Sequence, residues 1–83
     1  MKLSELKPGQ SGKILAVHGE DVMSFRLAEM GVIEGETIKV TKKAPFGDPI
    51  EIEVMSYNLC LRKKQAQDFD IELVDVSLNM AYS

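Results

Sequence analysis

The chain has 83 residues, 45% of them hydrophobic and 28% charged, with a formal net charge of -3 at pH 7. That length holds one small core and no second domain, and the mild acidity argues against a protein whose task is to coat nucleic-acid phosphates. A lone cysteine, Cys60, cannot form an internal disulfide, so nothing calls for an oxidising compartment.

Met1 to Gly9 sets Leu3 and Leu6 ahead of a Lys7-Pro8-Gly9 turn. Gly12 to His18 reads as a first strand, with Ile14 and Ala16 facing one way and Leu15 and Val17 the other, which predicts cover on both faces. Glu20 and Asp21 form an acidic start to a helix, with Asp21 or Ser24 as the cap that accepts a free backbone N–H. Met23, Leu27 and Met30 fall at i, i+4 and i+7, one apolar stripe. The helix is expected to stop at Gly31, which accepts a left-handed backbone and lets Val32 fold back onto Leu27.

From Thr37 the period changes to two, with Ile38 and Val40 inward and Lys39 and Thr41 outward. Lys43 to Pro49 reads as a hairpin loop with Phe46 and Gly47 at its tip. Ile50, Ile52 and Val54 then alternate with Glu51 and Glu53, which can sit across from Lys39 and Thr41. Met55 to Asn58 reads as a turn, Leu59 to Arg62 as a short strand and Lys63 to Gln67 as one helical turn. In the last strand, Phe69 to Leu73, the residues Phe69, Ile71 and Leu73 are expected inward. Residues 77–83 carry no period and are expected to fray beyond a domain of residues 1–76.

Five short strands with a helix inserted after the first predict a mainly β fold with one or two short helices, bent into a small antiparallel barrel of the SH3-like kind. The ordered set Leu3-Ser-Glu-Leu-Lys-Pro-Gly9, Arg26-Leu-Ala-Glu-Met-Gly-Val32, Glu34-Gly-Glu36, Ala44-Pro-Phe-Gly-Asp-Pro-Ile50 and Leu61-Arg62 with Ala66 resembles the ferrous iron transport protein A (FeoA) family. The resemblance runs from about Leu3 to Leu73. It implies the same barrel with a helical insertion, in the cytoplasm of a prokaryote, acting as an accessory partner of the membrane transporter FeoB and its GTPase part. It also implies transition-metal binding as an alternative role.

The residues themselves weigh these roles unequally. The one histidine, His18, has no serine or cysteine at a diagnostic spacing and no glycine-rich phosphate loop is present, so an enzyme is not expected. His18, Glu20 and Asp21 lie close in sequence and are weak candidates for an exposed iron or zinc site, including one shared between two molecules in a weak homo-oligomer. No cofactor is called for, because no Cys-x-x-Cys or His-x-x-x-His pattern occurs. With no Trp, two Tyr and three Phe, the chain lacks the aromatic lining of a proline-peptide or RNA groove.

A docking surface fits better. Phe46 at a loop tip is costly to expose unless it folds back to cap the barrel or meets a partner, and the residues leave both open; Met30 and Val32 add apolar surface, and Lys43 and Arg62 can steer an acidic partner. The expected function is thus a non-enzymatic accessory protein that docks on FeoB and modulates it, with a metal-responsive module as the alternative. No apolar run reaches the roughly 18 residues of a membrane span, and the N-terminus lacks a signal-peptide apolar region, so a cytoplasmic protein is expected.

Overall fold

The computed structural model describes residues 1–74. The expected tail at 77–83, and the last two residues of the expected domain, lie outside the described residues. The elements are a 3₁₀ turn at Leu3–Glu5, β1 (Ser11–Val17), α1 (Val22–Glu29), β2 (Thr37–Lys43), β3 (Ile50–Val54), β4 (Tyr57–Leu61), α2 (Lys63–Ala66) and β5 (Phe69–Val74). All pairings are antiparallel, in the spatial order β4-β3-β2-β1-β5.

The two-residue period of the strands builds the core directly. Val40 stands opposite Ile52, Ile50 opposite Leu61, and Ile14 opposite Ile71, and every member of these pairs is buried. Leu3 and Leu6 from the N-terminal segment close one end of this core, both fully buried. Irregularities at Leu15 in β1 and Thr41 in β2 interrupt the ladders and increase the local twist of the sheet. Outside, Lys39 faces Glu53 and the Thr41 hydroxyl donates to the Glu51 carboxylate at 2.7 Å, as the alternation predicts.

The sheet is bent but not closed. β4 and β5 are its two edges, and no ladder joins them among the described residues. Each edge is covered by something else. Along β5 the N-terminus runs as a partial sixth strand: the Ile71 N–H donates to the Met1 carbonyl at 2.8 Å, and Lys2 bridges to Asp70. Along β4 lies α1, antiparallel to it, with Met23 beside Cys60 and Leu61 and the Met30 carbonyl accepting from the Tyr57 hydroxyl. Covered edges resist chain-to-chain pairing.

Several expectations change. β1 is not covered on both faces: Leu15 and Val17 are exposed, Val17 beyond the irregularity that shifts the alternation at Leu15. Leu73 is exposed as well, because it pairs with Gly12, a residue with no side chain to cover it. The turn after β3 is two residues, Met55 and Ser56, both with positive φ, and β4 begins at Tyr57. No helix among the described residues is long and apolar enough to cross a membrane.

Candidate functional site

The helix α1 is seated by its two ends and one side chain. At its start the Asp21 carboxylate accepts from the Ser24 backbone N–H at 2.9 Å and from the Ser24 hydroxyl at 3.1 Å. The backbone bond above all, with the hydroxyl behind it, holds the Asp21 carboxyl below its ordinary value. Gly19 permits this arrangement, because a Cβ there would stand 2.0 Å from the Ser24 hydroxyl oxygen. At its end Gly31, with φ +94, donates to Ala28, and the Val32 N–H donates back to Leu27 at 2.9 Å. These two bonds form the six-residue closure that glycine favours at a helix C-terminus, with Val32 and Leu27 joined in the core.

That closure decides the expected docking residues. Val32 is only 1% exposed, so it is a core residue and not a surface anchor. The same fold-back that the glycine allows is what takes it inside. Met30 stays on the surface, as does Met23, so Leu27 alone of the apolar stripe is buried. Phe46 is 95% exposed. Its loop is held shape by the Ala44 N–H donating to Pro49 at 3.0 Å and the Gly47 N–H to Ala44 at 2.7 Å. Lys43 does not face outward as a guide: its ammonium donates to the Ser4 carbonyl at 2.7 Å, tying β2 to the N-terminal segment. Arg62 is exposed and stands 3.8 Å from the Asp48 carboxylate, a long contact in water worth little. Asp48 also accepts from the Lys63 backbone N–H at 3.1 Å, which links the Phe46 loop to α2.

Where α1 passes β4, a groove of about 280 Å³ opens, lined by Met23, Pro49, Cys60, Leu61, Arg62 and Gln65. Sequence reasoning missed it, because its walls come from four segments that only tertiary packing brings together. The exposure of Cys60 on an edge strand beside a helix had no local signal.

The expected metal residues separate. His18 turns to Asp70, with Nε2 2.6 Å from its carboxylate, and Lys2 donates to the same carboxylate at 2.6 Å. Hydrogen bonding from Lys2 first, and from His18 second, lowers the Asp70 carboxyl to about 2. Asp21 is committed to Ser24, and Glu20 is exposed. Among the described residues no three His, Cys, Asp or Glu side chains converge on a point that can hold a metal ion. His18 and Asp70 supply two donors, short of the four that a closed zinc site takes. Asp70 was absent from the expected set because it lies 52 residues from His18.

Comparison with known proteins gives one consistent answer. A model of the FeoA domain matches residues 1–73. A Porphyromonas gingivalis protein described as an Fe(2+) transport protein A/Fe(2+) transporter FeoB fusion is 40% identical over 74 residues. The match takes in 89% of this chain, which spans only 9% of that relative's length. Among solved structures, the FeoA protein of Chlorobium tepidum superposes with a TM-score of 0.84 at 35% identity, covering 90% of this chain and 71% of that one. The zinc complex of Stenotrophomonas maltophilia FeoA, described as a prokaryotic SH3 domain protein, superposes with a TM-score of 0.76 at 30% identity, covering 87% of this chain and 89% of that one.

Proposed function

The chain belongs to the FeoA family, and from that premise we propose that it is a non-catalytic accessory protein of ferrous iron uptake that docks on the cytoplasmic part of the FeoB transporter and biases its nucleotide cycle. The observation that carries the reading is the P. gingivalis relative, in which a domain like this one and the transporter are a single chain. Two modules kept in one polypeptide are held at high effective concentration, an arrangement that favours weak contacts between them. The surface agrees with a binding role: Met30 and Phe46 are exposed apolar side chains, and the exposed Arg62 guanidinium lies near the same loop.

Phe46→Ala removes a large apolar side chain that contributes nothing to the core, and Arg62→Glu reverses a charge on the rim. Each is expected to weaken binding of the full-length transporter in lipid nanodiscs by about tenfold or more while leaving the protein folded. The transporter's GTP hydrolysis rate is measured in the same samples. Absence of binding, together with an unchanged hydrolysis rate, refutes the proposal.

A second reading has one observation in its favour, the zinc bound to the S. maltophilia protein. In this chain His18 and Asp70 would supply two ligands, and a second molecule would supply the rest. Metal-dependent dimerisation in a zinc titration, abolished by His18→Ala, supports that role. A metal-free transporter interaction that survives His18→Ala separates it from docking.

A further inference from the structure

The groove between α1 and β4 has an apolar floor and one basic residue in its lining. Met23, Pro49 and Leu61 provide the floor, and Arg62 stands at one end. On α1, Arg26 follows Met23 by three residues and so shares its side of the helix. Arg26 and Lys63 make no ion pair among the described residues, and Arg62 has only the 3.8 Å contact with Asp48. An exposed methionine over an apolar floor adapts readily to an incoming side chain. The volume of about 280 Å³ is just below that of ordinary ligand pockets and suits one large side chain.

We propose that this groove receives a segment of the FeoB transporter carrying one large apolar side chain flanked by carboxylates. The apolar side chain enters between Met23 and Leu61, and the carboxylates meet Arg26 and Arg62. This rests on the docking reading above and locates it. Charge complementarity selects an acidic segment over a neutral one. The outer face of α1 is apolar too, with Val22 and Phe25 exposed. Phe25 projects roughly 200° around the helix from Met23, so it reports on the competing face.

The sole cysteine is free, exposed and part of the groove wall, which makes it a built-in reporter. The experiment measures binding of the full chain to full-length transporter in nanodiscs, and in parallel the rate of Cys60 alkylation read by mass spectrometry. The expected result is alkylation slowed about tenfold by saturating transporter. Met23→Glu and Arg62→Glu are expected to weaken binding about tenfold or more, and Phe25→Glu to leave it within about twofold. Binding with unchanged Cys60 alkylation and a normal Met23→Glu variant overturns the groove and leaves docking intact. Loss of binding in Phe25→Glu but not in Met23→Glu moves the contact to the outer face and also overturns it. Cys60 protection that grows with the protein's own concentration, without transporter, assigns the groove to a second copy instead. No binding at all refutes docking and the groove together.

Discussion

The seating of α1 is testable through a pair of glycines. Gly31 and Gly35 have nearly the same backbone, φ +94 and +91, but a Cβ at Gly31 would stand 2.4 Å from the Met55 sulfur, whereas at Gly35 it would meet nothing within 4 Å. Alanine in a left-handed conformation costs about 1 kcal/mol, so Gly35→Ala is expected to lower stability by about that amount. Gly31→Ala carries the same backbone cost and must also move Met55. That side chain is exposed and flexible, so displacing it adds about 0.5–1 kcal/mol of rotamer strain and lost contact. The total for Gly31→Ala is about 1.5–2 kcal/mol, or a urea midpoint lower by roughly 1–2 M at the slope of a domain this small. In a Met55→Ala background the two glycine substitutions are expected to become equal, which a double-mutant cycle measures. If Gly31→Ala costs no more than Gly35→Ala, or if its excess survives in Met55→Ala, then Met55 does not lie over the helix end as described.

Leu27 is the one buried apolar side chain of α1, so Leu27→Ala is expected to cost about 2–4 kcal/mol in urea unfolding. Faster amide exchange in α1 than in β2 and β3 would accompany it; equal exchange in all three elements would contradict the weak attachment of the helix. Phe46→Ser, at a side chain 95% exposed, is expected to change stability by less than about 0.5 kcal/mol, and a larger loss would mean that Phe46 packs on the body of the protein. Asp70 has its carboxyl lowered from 3.8 to about 2, so its ionised form favours the folded state. The contribution is complete above about pH 5 and is lost progressively as pH falls from about 5 to 1. Asp70→Asn is expected to flatten the stability profile across that window, and an unchanged slope would show that the Lys2 and His18 contacts do not persist in solution.

The sequence by itself determined the strands whose inner positions are unmixed. Ile38 with Val40, and Ile50, Ile52 and Val54, alternate with polar residues, and each came out buried. It also determined the helix stop, because Gly31 has a local reason to be there, and the family, because five motifs stand in order along the chain. Periodicity failed where apolar residues occupied both faces. Leu15 read as covered, yet a domain this small has no second layer to hide an outer face. Val17 follows the irregularity at Leu15, which shifts the alternation, and Leu73 shares the inner side with Ile71 but stands opposite Gly12, which has no side chain to cover it.

Tertiary structure alone decided the candidate site. Met23 and Met30 carry the same hydrophobic label as Leu27, but the position of α1 over the β4 edge leaves them exposed and buries Leu27. The sequence placed Phe46 at a loop tip but left open whether it folds back onto the barrel; the structure leaves it 95% exposed. Val32 was legible as folding back onto Leu27 and yet was also expected as a surface anchor; only the seating of α1 shows that the fold-back takes it wholly inside. Lys43 meeting Ser4, His18 meeting Asp70 and the groove between Met23 and Cys60 join residues far apart in the chain. Local preference sets which elements form; only the closing of long loops sets which side chains face each other, and binding surfaces are made at that second level.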